Sequence, residues 1–221
     1  MLLETLQALL PDLNTAVLQT IYMVAVALAA AIIFGLPLGV LLFVTDEGLF
    51  LKNKVLNSVT GWIVNLIRSI PYIILLVALL PLTKLIAGST IGPTAASVSL
   101  SVAAIPFFAR LVETSLREID KGVIESAVAV GASPWMIITN ILVPEAKPGI
   151  IQGLTITTIS LIGYSAMAGI IGGGGIGDLA IRFGYYRYDN TIMFTTVIVL
   201  VVLVQIIQIS GDRISRVVDK R

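Results

Sequence analysis

Apolar residues come in long blocks along this chain, and charges gather in the stretches between them. A helix that crosses a bilayer needs about 20 mostly apolar residues. Five blocks have that character: Thr20 to Val44, Leu56 to Leu80, Thr94 to Ala109, Gly149 to Ile171 and Thr191 to Gln208. The first holds no charge, the second carries Arg68 in its middle, and none contains Asp or Glu. The third is short and rich in small residues. The pattern predicts an all-α membrane protein with five transmembrane helices.

Five crossings put the two ends on opposite sides. If the C-terminus is cytoplasmic, the inside segments hold ten basic residues, from Lys52 and Lys54 to Lys220 and Arg221. The outside segments then hold three, Lys84, Arg182 and Arg187. The positive-inside rule therefore predicts an N-out, C-in arrangement. Residues 1–19 contain Glu4 and Asp12 but no Lys or Arg, so the basic start of a secretory signal is missing. The apolar run from Ala25 continues through Gly35-Leu36-Pro37-Leu38-Gly39, which predicts a retained helix that tolerates its proline. Residues 1–221 read as one membrane domain with one insertion.

Composition sharpens this picture. The chain is 57% hydrophobic and 12% charged, against about a quarter charged for soluble domains. Its mean hydropathy is +1.01, too apolar for water to cover the surface. A net charge of +1 provides no basic field for nucleic acid. The sequence has no Cys and no His, which excludes disulfides, Cys or His metal sites, and His-dependent nucleophilic catalysis. No cofactor or metal site is expected in this chain. Gly172-Gly173-Gly174-Gly175-Ile176-Gly177 satisfies G-x-G-x-x-G, but it follows a membrane block rather than a strand and lacks the Gly-Lys-Ser/Thr end of a P-loop. It reads as a bend in an outer loop. Phe183, Tyr185, Tyr186 and Tyr188 after it read as an interfacial aromatic belt.

The longest loop, residues 110–148, is the most informative. Arg110 to Val130 has helical composition, and Gly131-Ala132-Ser133-Pro134 breaks it. A second helix is predicted from Pro134, capped by Ser133 and ending near Pro144, with Pro148 blocking its continuation.

In this loop the chain resembles the permeases of ABC importers. Their cytoplasmic loop carries Glu-Ala-Ala, three residues, Gly, nine residues, then Ile-x-Leu-Pro. Here Glu125-Ser126-Ala127 is followed at the same spacings by Gly131 and by Ile141-Leu142-Val143-Pro144. Ser126 and Val143 depart from the pattern, both mildly in size. Arg68-Ser69-Ile70-Pro71-Tyr72, Gly163-Tyr164-Ser165-Ala166-Met167-Ala168-Gly169 and Gly211-Asp212-Arg213-Ile214 resemble segments of the methionine-importer permeases. The similarity covers nearly all of the chain after about residue 15.

The resemblance implies a type I importer transmembrane domain over 1–221, with 111–148 as its cytoplasmic coupling segment between spans three and four. It implies a permease of the bacterial cytoplasmic (inner) membrane that moves a small amino acid, foremost methionine, by alternating access. Another small amino acid or related compound is the alternative; a secondary transporter is the more distant one. The chain is then not itself an enzyme. The implied partners are a second copy, two cytoplasmic ATPase subunits that use ATP and Mg, and an extracytoplasmic binding lipoprotein. For that last partner the tetraglycine segment is an alternative docking surface. Lipid surrounds the assembly.

Coupling falls to Glu125, Ser126, Ala127, Gly131, Ala132, Pro134 and Pro144. Small residues at 126 and 127 would let two backbones approach, Gly131 would permit a turn, and Glu125 would offer a carboxylate. The pathway or gate candidates are Tyr164, Ser165, Met167 and Arg68. Tyr164 and Ser165 bring hydroxyls into an apolar helix, and Met167 a polarizable thioether. Helix packing accounts for the same small and hydroxyl residues. Arg68 either lines the pathway, snorkels to the cytoplasmic surface, or pairs with Asp46, Glu47 or a partner subunit.

Overall fold

The computed structural model describes residues 2–219, and every element among them is a helix. In chain order these are α1 (Leu2–Ala30), α2 (Leu36–Val44), α3 (Lys54–Ser69), α4 (Tyr72–Ala78), α5 (Leu80–Ala87), α6 (Pro93–Arg117), α7 (Lys121–Ala129), α8 (Pro134–Ile137), α9 (Val143–Gly169), α10 (Gly175–Leu179) and α11 (Asn190–Val218). Lys220 and Arg221, two of the basic residues used for orientation, lie outside the described residues.

Among the described residues, four continuous helices are long and apolar enough to cross a membrane: Leu10–Val44, Pro93–Arg117, Pro134–Gly169 and Asn190–Val218. The expected second span, Leu56 to Leu80, is not one helix. Ile70 before Pro71 is forced into extended backbone (φ −86°, ψ 124°), so α3 ends at Ser69 and α4 leaves it at 103°. Counted as one broken span, this pair makes five.

The other long helices also outrun the apolar blocks. α6 continues past Ala109 to Arg117, and the helix that carries the fourth apolar block begins at Pro134 instead of Gly149. The sequence expectation that Pro144 and Pro148 stop a helix is therefore corrected: both lie inside one. Asp12, Glu113, Glu145 and Asp212 consequently sit on membrane-length helices, although none falls within the apolar blocks themselves.

Pro37 and Pro144 are absorbed by a common device. π-helical turns at Ala31–Gly35 and Ile138–Leu142 each end one residue before an X-Pro pair, Leu36-Pro37 and Val143-Pro144. Leu36 N–H bonds to Ala31 and Val143 N–H to Ile138, the wider i→i+5 pattern. A proline within an α-helix lacks an N–H and crowds the carbonyl four residues back. The wider turn relieves that crowding, and the helix continues.

α6 is the central element. Leu100, Ala104, Phe108, Val112 and Leu116 repeat every four residues along one face, and all are buried. α1, α2 and α9 pack around it. α11 lies on α9, while Ile198, Val201, Val202 and Ile206 face outward. An apolar surface of that kind suits lipid or a second subunit.

The tetraglycine segment makes a sharper return than an outer bend. Gly172, Gly174 and Gly175 take positive φ, which turns the chain back so that α10 packs against α1 and α9. The Gly175 N–H donates to Gln19 Oε1 (2.8 Å) and the Ile176 N–H to Thr20 Oγ1 (3.0 Å). Beyond α10, Tyr185, Tyr186 and Tyr188 are exposed, and Arg187 lies 4.4 Å above the Phe183 ring.

Candidate functional site

The predicted helix from Arg110 to Val130 is two helices. Glu118-Ile119-Asp120 separates α6 from α7, and the Asp120 carboxylate accepts the Gly122 N–H at 2.6 Å as an N-cap. α7 then ends in a Schellman motif. The Ala132 N–H donates to the Ala127 carbonyl (3.1 Å), and the Gly131 N–H donates to Val128 (3.0 Å). Gly131 sits at φ +79°, the left-handed position that glycine occupies without strain. The three-residue gap between Ala127 and Gly131 is therefore the spacing of this cap. Ser133 opens the next helix, its Oγ accepting the Met136 N–H (3.3 Å), as the sequence predicts.

The result is an elbow with two faces. Ile119, Ile124, Ala127 and Ile137 are buried against the body of the chain. Val123, Val128, Val130, Trp135 and Met136 point outward, with Val130 82% and Trp135 74% exposed. Of the predicted coupling residues, Glu125, Ser126, Gly131, Pro134 and Pro144 are exposed and Ala132 is half-buried. Ala127 packs inward, and the Ser126 hydroxyl donates to the Gly122 carbonyl of its own helix (2.7 Å). Glu125 also lines a groove of about 660 Å³ between α7 and the loop after α2.

At the base of the elbow lies an ionic cluster that the sequence does not announce. Glu113, almost fully buried, receives Arg110 Nη1 at 2.6 Å and Arg117 Nη2 at 2.8 Å. Arg117 also reaches Asp46 (2.7 Å), and Arg110 Nη2 donates to Asn65 Oδ1 (2.7 Å). One side-chain network thus joins the end of α2, α3 and α6. The Glu47 backbone N–H, together with the Arg117 guanidinium, holds the Asp46 carboxyl below its ordinary value. Asp46 and Glu47 are thereby taken, Glu47 by Lys52 at 3.2 Å, and neither pairs with Arg68. The pairing of Asp46 with Arg117 spans 71 positions, and no local pattern in the sequence marks it.

The pathway candidates separate into two groups. Tyr164 on α9 stacks on Tyr72 of α4, ring centroids 4.7 Å apart and 11° from parallel. The Tyr72 hydroxyl meets Ser99 Oγ at 3.2 Å. This stack forms one wall of a hollow of about 130 Å³, which Arg68, Leu75 and Phe107 also line. Arg68 and Tyr164, far apart in sequence, therefore meet at one site. Ser165 and Met167 do not line it. The Ser165 hydroxyl is buried and donates to the Ile162 carbonyl (2.7 Å), whereas Met167 is exposed. Tyr72 and Phe107 were not expected in the site. Tyr72 lies in the quoted Arg-Ser-Ile-Pro-Tyr segment, so that signal was present.

Several membrane-length helices, a hollow at a helix break and a protruding elbow define the class: a membrane transport subunit, or permease. The chain belongs to the family of binding-protein-dependent transport system inner membrane components, which it matches over residues 31–221. It is accordingly a multi-pass protein of the inner membrane.

Its relatives include the probable D-methionine transport system permease protein of Vibrio cholerae, 53% identical over 95% of this chain and 93% of that protein. The methionine import system permease protein of Bacillus subtilis is 45% identical over 96% of each chain. Among solved structures, an inward-facing methionine ABC transporter (MetNI) superposes with a TM-score of 0.95 at 46% identity, over 96% of this chain and 99% of that one. An amino acid ABC transporter at 16% identity shares the fold, with a TM-score of 0.75.

Proposed function

We propose that this chain is the permease subunit of an ATP-driven importer whose cargo is methionine. The exposed apolar face of the elbow, Val130, Trp135 and Met136, carries the reading: a patch of that kind outside the lipid-facing helices calls for a protein partner. The cargo is supported by the relatives, which are named for methionine and align along nearly the full chain.

In this reading residues 1–221 form one transmembrane domain. α3 and α4 count as one broken span, giving five with N-out and C-in, and residues 111–148 form the coupling segment. Two copies of the chain pair and sit on two ATPase subunits, which hold ATP and Mg; a lipoprotein delivers substrate from outside. The exposed apolar side chains of Trp62, Ile63 and Leu66 on α3 suit contact with the second copy. Glu125, Ser126, Gly131, Ala132, Pro134 and Pro144 meet or shape the docking surface, and Ala127 anchors it from within. Because Pro134 to Gly169 is a single helix, a displacement of the elbow is carried along α9 to Tyr164 and Met167. Tyr164 and Arg68 then face the path, with Met167 and Ser165 on the neighbouring turn of the same helix.

Reconstitution in proteoliposomes with the cognate ATPase and binding protein tests the reading. Methionine should accumulate only with ATP. Accumulation driven by an ion gradient without ATP would overturn it. The chain has no native cysteine, so Val130→Cys should react with an impermeant maleimide from the cytoplasmic side alone. Labelling from outside would refute the orientation.

A further inference from the structure

The hollow at the α3–α4 break has a feature that helix packing does not require. Arg68 closes the last turn of α3, and among the described residues its guanidinium makes no ion pair or side-chain hydrogen bond. The two acidic partners considered from the sequence, Asp46 and Glu47, are committed to Arg117 and Lys52. Arg68 is exposed and lines the hollow with Tyr72, Leu75, Phe107 and Tyr164, so its unmatched guanidinium is open to an incoming anion.

We propose that this hollow is a substrate subsite within the permease itself. Arg68 receives the α-carboxylate of an amino acid, and the stacked Tyr72–Tyr164 pair with Leu75 and Phe107 receives an uncharged side chain. Three observations carry the assignment. The five donors of the guanidinium form a planar fork that matches a carboxylate. The rest of the lining is apolar or aromatic and contains no acidic residue, so a cationic side chain finds no partner there. The hollow, about 130 Å³ and open on one side, is on the scale of a single side chain, so the head group of an amino acid can lie at its mouth. The α-ammonium has no acidic partner in the lining and remains toward water. The site therefore reads the carboxylate and the side chain, but not the amine.

This subsite rests on the import reading, and its test is independent of transport. The permease–ATPase complex is assembled in nanodiscs without the binding protein, and equilibrium binding of radiolabelled methionine is measured directly. Unlabelled methionine, methioninamide and N-acetylmethionine are the competitors. Losing a charge-assisted contact should weaken binding about ten-fold or more. Methioninamide should thus compete at least ten-fold more weakly than methionine, and N-acetylmethionine nearly as well. Arg68→Gln should abolish the discrimination between acid and amide, Arg68→Lys should retain part of it, and Tyr164→Leu should weaken both ligands.

Equal competition by amide and acid in the wild type overturns the proposal, even where Arg68→Gln fails to assemble. So does undiminished methionine binding in Arg68→Gln, the result expected if Arg68 serves lipid headgroups. No detectable binding to the wild type overturns it as well, while ATP-dependent uptake with the binding protein present would leave the import reading standing.

Discussion

Arg117, in the last turn of α6, places its guanidinium 2.7 Å from the carboxylate of Asp46, just beyond the end of α2. The same Arg117 holds the buried Glu113. Since only three residues separate α6 from α7, this contact ties the first membrane helix to the root of the elbow. A displaced elbow must carry α2 with it or break the pair.

The Asp46–Arg117 link should be insensitive to pH near neutrality. The pKa of Asp46 is lowered from 3.8 in the folded chain. Its contribution is fully present above that unfolded value and is lost only as pH falls through the lower folded one. Asp46→Asn should lower the melting temperature by a constant small amount from about pH 5 to about pH 8, and the difference from wild type should shrink only in strong acid. Arg117 is half-exposed, so the loss should stay below about 1 kcal/mol. Thermal unfolding across pH checks this, and uptake per ATP hydrolysed should fall if the link serves coupling.

Glu113 is the more sensitive member of the cluster. Glu113→Ala leaves two arginines without their buried carboxylate. Breaking a fully buried pair costs about 3–5 kcal/mol. Both arginines have some access to water here, which brings the expected loss to about 1–3 kcal/mol. Glu113→Gln should recover part of it. Denaturation of the purified protein in detergent distinguishes the two.

Gly131 should fail by backbone conformation and not by crowding. Nothing lies within 4 Å of the position a Cβ would take, yet φ is +79°. Gly131→Ala should cost about 1–2 kcal/mol locally and reduce co-purification of the ATPase and uptake together. Gly131→Asn, which tolerates the left-handed region, should be the mildest replacement. Membrane insertion should be unaffected in both.

Thr20→Val keeps the shape of a buried side chain and removes the acceptor of the Ile176 N–H. An unsatisfied buried donor costs about 1–3 kcal/mol. The expected sign is faster hydrogen exchange or proteolysis in residues 172–189, with the elbow unchanged.

Membrane character, helical class and the elbow motif were legible because each rests on local pattern. Apolar length marked four membrane-length helices and a fifth that is broken at Pro71, and Glu125-Ser126-Ala127 with Gly131 marked the elbow. Helix limits were less legible. Apolar runs mark where lipid begins, whereas α6 and α9 continue into polar sequence because backbone bonding and the Ser133 cap carry them on. Pro144 and Pro148 read as stops because the π-helical turn that accommodates Pro144 leaves no mark in composition. The meeting of Arg68 with Tyr164, and of Asp46 with Arg117, depends on helices packing across the chain, and no spacing rule encodes it.

The π-helical turn at Ile138–Leu142 has an angular consequence. Each α-helical residue advances about 100° around the axis, so the one surplus residue there offsets everything before it by about that angle from everything after it. Removing one residue from this turn would leave an unbroken helix, yet Trp135 and Met136 would swing about a quarter-circle out of phase with the Tyr164 side of α9. Elbow and hollow are thus clocked against each other by a single amino acid.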